Sequence, residues 1–173
     1  MLGYSKNNRI FASRMEGKET IRTYPLLQAQ MSVFVGWEIH PTATAWNLPS
    51  VITFPKTVSA DRLENVMSQL AQRQELHIRF VKGDDGLPRQ FIDQQMSIPV
   101  VRKQLTDEEA TAYMNHDFVR PFTPYGNEPL CRIEIIETPT RLLLLTDFHH
   151  TIADGTSIVQ LMNANITSTS FPT

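Results

Sequence analysis

Two adjacent histidines followed by an acidic turn are the residues of this 173-residue chain with the clearest capacity for chemistry. His149 and His150 end an apolar, strand-like segment, and Asp154 and Gly155 follow in a turn that leads into a helix. Successive side chains of a strand point to opposite faces, so we expect one imidazole to face the core and the other to project into a cleft. An imidazole in a cleft titrates near neutral pH and can accept a proton from an attacking amine, hydroxyl or thiol.

Asp154 and Gly155 are expected to shape the loop that follows the histidines. A carboxylate at a helix N-terminus can cap free backbone N–H groups, and a glycine permits a conformation or a close approach that a Cβ would block. His150 and Asp154 stand four residues apart, as metal ligands on a helix do, but the preceding strand and Gly155 disfavour that geometry. The residues alone therefore leave three alternatives open: a catalytic base, a structural loop and a metal site.

Strands and helices that do not strictly alternate predict the α+β class. The continuous apolar run 142–145 predicts a strand buried on both faces, paired in a hairpin with 131–138. Within that partner strand, charged residues such as Glu134 flank the isoleucines, which predicts one solvent-exposed face. The histidine loop should therefore lie at the end of a central, buried strand.

The remaining elements follow from apolar periodicity, turn residues and capping patterns. They are a helix over 26–34 built on Leu26, Ala29, Gln30, Val33 and Phe34 (with Ala29 and Val33 four apart on one face), a loop over 42–49, a strand over 51–54, a helix over 59–74, a hairpin of 77–81 with 89–92, and a helix opened by a capping box at Thr106 and Glu109.

Composition bounds the class of protein. Hydrophobic residues make up 41% of the chain, and 16 Lys and Arg against 18 Asp and Glu leave a net charge of −2. Such a chain has no basic excess for binding nucleic acid or an anionic membrane, and its single cysteine excludes an internal disulfide. We expect a cytoplasmic protein with a loosely ordered leader over 1–20, one domain over 21–165, and a polar tail over 166–173.

The histidine segment resembles a known signature. Residues 149–155 match the HHxxxDG motif of condensation domains of nonribosomal peptide synthetases, which belong to the superfamily of chloramphenicol acetyltransferase and other CoA-dependent acyltransferases. Three further segments are similar to family motifs in the same order: Tyr-Pro-Leu-Leu-Gln-Ala-Gln at 24–30, Trp-Asn-Leu-Pro at 46–49, and the Pro-Phe … Pro-Leu-x-Arg pattern at 121–132, where Thr123 replaces the usual Asp.

The family's second motif, Arg-His-Glu-x-Leu-Arg-Thr-x-Phe, is matched more weakly. Aligned without a gap to 72–80, it agrees at Leu76 and Phe80, and His77 occupies the place of an arginine. The resemblance covers about 24–162. Because a complete condensation domain has two lobes and is more than twice this long, the resemblance implies an N-terminal lobe without its C-terminal lobe, and the tail is expected to mark a truncation.

The resemblance implies a fold and a reaction. The fold is a chloramphenicol acetyltransferase-like lobe, with a mixed sheet and flanking helices. The reaction joins a donor acyl or peptidyl thioester, carried on the phosphopantetheine of one carrier protein, to an acceptor amine on another. His150 would orient or deprotonate that amine, His149 would be its structural neighbour, Asp154 would shape the loop while paired with an arginine, and Gly155 would bring backbone near the reacting centre.

The resemblance also implies partners. Carrier protein domains and the missing lobe are expected, as is self-association into a homo-oligomer through the exposed lobe face, whereas nucleic acid and membrane are not. No cofactor or metal is expected to bind directly. Two alternatives to the amide-forming lobe stay open: another acyltransferase of the superfamily (epimerisation, ester-forming or CoA-dependent), and a non-catalytic lobe that binds a carrier or another protein. The isolated chain is expected to be inactive.

Overall fold

The structure, a computed structural model, describes the backbone of residues 21–166 and the side chains of 21–160. The predicted leader and all but the first residue of the predicted tail lie outside these residues. The described elements, in chain order, are β1 (Tyr24–Pro25), α1 (Gln28–Ile39), β2 (Asn47–Pro55), α2 (Ala60–Ala71), a 3-10 turn (Gln74–Leu76), β3 (Ile78–Lys82), β4 (Pro88–Ile92), β5 (Val100–Gln104), α3 (Asp107–His116), β6 (Cys131–Glu137), β7 (Arg141–His149) and α4 (Gly155–Ile166).

The described strands form two sheets. The larger has the order β2-β7-β6-β5, in which β7 pairs antiparallel with both neighbours and β5 pairs parallel with β6. The smaller is antiparallel, with the order β1-β4-β3. A mixed sheet flanked by helices is the predicted α+β architecture. Within the described range, no helix is long and apolar enough to cross a bilayer.

Strand β7 runs through the centre of the larger sheet and is covered on both faces. Leu142 and Leu144 pack in the same cluster as the buried face of α2, whereas Leu143 and Leu145 pack with Ala110 of α3. Because side chains alternate along a strand, a strand covered on both faces needs a continuous apolar run. The prediction made from 142–145 is confirmed.

The helices beside this sheet begin where the sequence predicts. Ser59 caps α2 by accepting a hydrogen bond from the Arg62 N–H (3.3 Å), and the predicted apolar residues of α2 are all buried. At α3, the Thr106 hydroxyl accepts from the Glu109 N–H (3.1 Å) and the Glu109 carboxylate accepts from the Thr106 N–H (2.8 Å). This reciprocal pair is the predicted capping box.

The prediction that Glu134 lies on a solvent-exposed face of β6 is wrong. Glu134 is 3% exposed because β5 and α3 cover that face. Its carboxylate accepts hydrogen bonds from Lys103 Nζ (2.6 Å) and the Tyr113 hydroxyl (2.8 Å). These partners offset the cost of burying the charge.

Two further predictions need correction near the N-terminus. The predicted loop over 42–49 gives way to strand at Asn47, because β2 pairs along its whole length with β7. Helix α1 buries Phe34, which the predicted helix included, together with Trp37, whereas Ala29 is exposed, so Ala29 does not belong to the buried face. Strands β1 and β5 are absent from the sequence-based predictions.

Candidate functional site

The histidine loop, residues 149–155, follows the end of β7, where the larger sheet fixes its backbone. The His149 N–H donates to the carbonyl of Leu130 (2.9 Å) and the His150 N–H donates to the carbonyl of Trp46 (2.8 Å). A turn then leads to Asp154 and the first residue of α4. The sheet therefore sets the place of both imidazoles.

His149 is a buried residue. It is 1% exposed, and its ring lies 3.9 Å from that of Trp37 and 5.7 Å from that of Phe122, centroid to centroid. Its Nδ1 lies 2.8 Å from the Thr151 hydroxyl and accepts a hydrogen bond from the Thr151 N–H (3.3 Å). Its Nε2 is buried without a hydrogen-bond partner among the described residues, so the hydrogen bonds of this ring are made by Nδ1.

Burial also keeps His149 from acting as a base. Desolvation, with a smaller contribution from the charge of His150, lowers the pKa of His149 to about 4. At neutral pH this imidazole has little tendency to accept a proton. His149 therefore acts in the structure as a packed ring beneath the loop.

His150 has the opposite environment. It is exposed, and its imidazole makes no hydrogen bond with the described residues, so the ring is open to solvent. The predicted difference between the two histidines, one buried and one open, is confirmed. An accessible imidazole on a fixed backbone can meet an incoming group and accept its proton.

Asp154 caps α4, as its position in the loop predicts. Its Oδ1 accepts hydrogen bonds from the Ser157 N–H and the Ser157 hydroxyl, each at 2.7 Å. Chiefly these bonds, and to a smaller extent the charge of His150, lower the pKa of Asp154. Within the described part of the chain it forms no ion pair with an arginine, so the partner suggested by the family resemblance is not the one found here.

Gly155 differs from the expectation that a Cβ would be blocked. A Cβ built at Gly155 meets no atom within 4 Å, and its φ is not positive. Nothing in the described chain therefore requires glycine at this position. The space beside Gly155, at the start of α4, is empty of other described atoms.

The metal alternative has no support from the geometry. His150 lies in a turn and Asp154 is the cap of a helix, so the two do not share a helical face. Among residues 21–166, no group of three or more His, Cys, Asp and Glu side chains could hold a metal ion. Cys131 is buried, and desolvation raises the pKa of its thiol to about 12, so it is a core residue and not a nucleophile.

Three polar residues that the sequence analysis did not assign hold the loop and its strand. Gln30 donates from Nε2 to the carbonyl of Thr151 (3.0 Å). Asn47 donates from Nδ2 to Asp147 Oδ2 (2.7 Å), and Arg132 donates from Nη1 to the same oxygen (2.9 Å). Gln30, Asn47 and Arg132 each fall within a segment that resembles a family motif, and that was the available signal.

The segment 72–80, which matches its family motif weakly, retains the motif residues that pack in the core. Leu76 and Phe80, the two positions that agree with the family motif, are both buried. His77 Nε2 lies 2.8 Å from the carbonyl of Ala71, where it closes the end of α2. The segment therefore retains its core positions, whereas its polar positions differ.

A cleft of about 930 Å³ borders this segment and the histidine loop. Its apolar walls are Leu76, Ile78, Ile92 and Ile152, and Ser157 of α4 also lines it. His150 is not among the described residues that line it, so the expectation that this imidazole projects into a cleft is not met here, and His150 opens at the surface beside the loop. The cleft and the accessible imidazole are neighbours through Ile152, which lies two residues beyond His150.

Comparison with known proteins identifies the family. The family model of the Condensation domain matches residues 20–167. Bacitracin synthase 2 of Bacillus licheniformis is 32% identical over 142 residues, which are 81% of this chain and 5% of that protein. Tyrocidine synthase 2 of Brevibacillus parabrevis is 29% identical over 141 residues, covering 81% of this chain and 4% of that protein. The chain therefore spans a small part of the length of these relatives.

Solved structures agree on the fold. A variant of the starter condensation domain of rhizomide synthetase superposes with a TM-score of 0.73 at 21% identity, covering 90% of this chain and 36% of that one. The first condensation domain of the calcium-dependent antibiotic synthetase gives a TM-score of 0.67 at 19% identity, covering 88% and 40%. The chain belongs to the condensation domain family, and it corresponds to a partial, N-terminal region of that domain.

Proposed function

We propose that this chain is the N-terminal lobe of an amide-forming condensation domain and that His150 handles the proton of the acceptor amine. The observation that carries the proposal is the accessible imidazole of His150 on a backbone fixed by the Trp46 carbonyl (2.8 Å). His149 and Asp154 act as structural residues, one beneath the loop and one at the start of α4.

The proposed reaction moves an acyl group from sulfur to nitrogen. The acceptor amine attacks the carbonyl carbon of a donor thioester, the new C–N bond forms, and the C–S bond breaks. The nitrogen loses a proton to His150, which passes it to the departing thiolate, so the products are an amide and a free thiol and the imidazole returns to its neutral form. General-base help of this kind accelerates a reaction by roughly 10²–10⁴-fold.

The proposed substrates are thioesters on the phosphopantetheine arms of carrier proteins, so the lobe itself binds no cofactor. The curated relatives named above are synthases of bacitracin and tyrocidine. Another solved variant of the rhizomide starter domain, at a TM-score of 0.73, holds C8-CoA together with Leu-SNAC. An acyl thioester beside an aminoacyl thioester is the pairing that the proposed reaction requires.

The second wall of the site is proposed to come from a C-terminal lobe, with carrier domains docking on either side. The open space at Gly155 is compatible with such an approach. Peptide assembly on carriers is proposed to take place in the cytoplasm, and self-association of the lobe stays a prediction that light scattering can test. Nucleic acid and membrane are not proposed as partners.

A non-catalytic lobe that binds a carrier or another protein is the second candidate. The segment 72–80 favours it, because Leu76 and Phe80 are retained as core residues while the polar positions of the motif differ. Such a lobe would bind a carrier without promoting the reaction.

An assay with and without a second lobe distinguishes the two candidates. A donor-loaded and an acceptor-loaded carrier are mixed with the 173-residue chain alone, and separately with the chain joined to a condensation-domain C-terminal lobe, and the amide is measured by mass spectrometry. The lone chain should form no amide, because one wall cannot hold amine and thioester in reacting geometry. The joined protein should form it. Carrier binding without amide formation by the joined protein would favour the non-catalytic lobe.

A further inference from the structure

A buried polar cluster lies two residues before the histidine pair, where β2, β7 and β6 meet. Asp147 is fully buried, and its Oδ2 accepts from Asn47 Nδ2 (2.7 Å) and from Arg132 Nη1 (2.9 Å). The Arg132 side chain is itself 12% exposed. The three residues come from three strands and are far apart in sequence.

The same side chains also fasten the segment that leads into β6. Arg132 donates from Nη1 to the carbonyl of Arg120 and from Nη2 to that of Pro121, each at 2.8 Å. Asn47 Nδ2 lies within 3.0 Å of the Arg120 carbonyl as well. Backbone carbonyls are strong acceptors, and Arg132 and Asn47 satisfy two of them here.

The segment held by these bonds, residues 120–122, ends at Phe122, whose ring contacts His149. The Arg132 guanidinium carbon lies 3.8 Å from the centroid of the Phe122 ring, and the Phe122 ring meets His149 edge-on at 5.7 Å. The cluster is thus connected to the histidine pair by two routes. It acts directly along β7 from Asp147 and indirectly through Phe122.

Burial of this pair is costly. Desolvation raises the pKa of Asp147 and lowers that of Arg132, so the surroundings disfavour both charges. In addition, Asp147 Oδ1 is buried without a hydrogen-bond partner among the described residues. Replacing a buried ion pair with apolar residues of similar volume is often neutral or stabilising, so stability alone does not account for the pair.

We propose that Asp147, Arg132 and Asn47 form a positioning unit that holds the end of β7 and the segment over 120–122, so that His149 stays packed and His150 projects from a fixed place. The inference rests on the proposed function, because the place of His150 matters if His150 handles a proton. None of the three residues touches the reacting atoms, so they are positioning residues and not catalytic ones.

Hydrogen exchange on the full 173-residue chain tests the unit without any need for turnover. The variant Arg132→Met with Asp147→Leu removes both charges together and should unfold at a temperature no lower than the native chain. In that variant the amides of His149 and His150 should exchange about tenfold faster, while the Leu144 amide at the centre of β7 keeps its protection. Asp147→Asn keeps an oxygen acceptor for Asn47 and Arg132 but leaves the Arg132 charge unpaired, so exchange at both histidines should lie between that of the native chain and that of the double variant.

Native protection of His149 and His150 in the folded double variant would overturn the proposal, because the pair would then be structural only. If the double variant does not fold, the single variant Asn47→Ala tests the positioning unit instead. It should speed exchange at His150 about tenfold, whereas Thr53→Ala, an exposed control on the same strand, should not. Unchanged exchange at His150 in Asn47→Ala would overturn the proposal equally.

The positioning unit and the proposed function can fail separately. In the protein joined to a second lobe, the double variant should lower kcat about tenfold with KM unchanged, since it displaces a proton-handling group and not a binding surface. If His150→Ala keeps the native rate there, the proposed function fails whatever the exchange data show. If exchange at both histidines is native, the positioning unit fails whatever the rate.

Discussion

The ring of His149 lies against the ring of Trp37, with centroids 3.9 Å apart and planes inclined by 34°. Trp37 is itself anchored, because its Nε1–H donates to the carbonyl of Phe122 (3.1 Å). The first histidine of the pair is therefore part of an aromatic cluster of the core. Its neighbour His150, one residue further, is accessible to solvent.

This burial predicts a specific dependence of stability on pH. The pKa of His149 is lowered from 6.5 to about 4 in the folded chain, so between those values the unfolded chain binds the extra proton. The stability contributed by the neutral ring is fully present above about pH 6.5 and is lost as pH falls toward 4, by about 3 kcal/mol at most. Urea unfolding from pH 7 to pH 4 measures the loss.

The matched control for the pH prediction is His149→Phe, which keeps an aromatic ring and removes the titrating group. Its free energy of unfolding should fall less over the same pH range, by about the contribution of one histidine. Parallel pH curves for the native chain and the variant would contradict a neutral, buried His149.

The cap of α4 predicts a second effect. Asp154→Ala removes the acceptor of two hydrogen bonds from Ser157 and should lower the free energy of unfolding by about 0.5–2 kcal/mol. Asp154→Asn, which retains a capping oxygen, should cost less. Thr156→Ala, an exposed change in the same turn, is the control, and an equal loss in all three variants would argue against capping.

The register of β2 and β7 offers a matched pair of packing variants. Val51 and Leu145 are direct cross-strand partners, yet Leu145 is fully buried and Val51 is 48% exposed. Leu145→Ala should therefore cost about 2–5 kcal/mol, whereas Val51→Ala should stay within about 0.5 kcal/mol. Chemical denaturation of both variants checks the claim, and similar losses would mean that β7 is not covered on both faces.

Gln30 predicts a local effect at the histidine loop. Gln30→Ala removes the donor to the Thr151 carbonyl and should cost about 0.5–1.5 kcal/mol. Hydrogen exchange should accelerate at Thr151 and Ile152 while the centre of β7 is unchanged. Gln28→Ala, which changes an exposed glutamine at the start of α1, is the control. An identical exchange pattern in both variants would show that Gln30 does not hold the histidine loop.

The sequence was most informative where a single element determines its own environment. The apolar run 142–145 predicted a doubly covered strand, and Thr106 with Glu109 predicted the start of α3, because these signals are local. The burial of His149 and the exposure of His150 agree with the prediction, although His150 lies in a turn just beyond β7 and not in the strand itself.

The sequence was least informative where partners are distant in the chain. Glu134 was misplaced because its partner Lys103 lies on β5, a short edge strand whose polar residues gave no strand signal. Asp147 was not singled out because its contact with Asn47 depends on β2 lying beside β7, whereas its pairing with Arg132 lies within the predicted hairpin. Such pairs become visible when the topology is known.

The central claim is that His150 handles the proton of the acceptor amine. The most direct measurement is the initial rate of amide formation by the chain joined to a C-terminal lobe, with saturating donor-loaded and acceptor-loaded carriers. His150→Ala should lower that rate roughly 10²–10⁴-fold, whereas His116→Ala, an exposed histidine at the end of α3, should leave it unchanged. A His150→Ala protein that retains the native rate while His116→Ala behaves as expected would contradict the account.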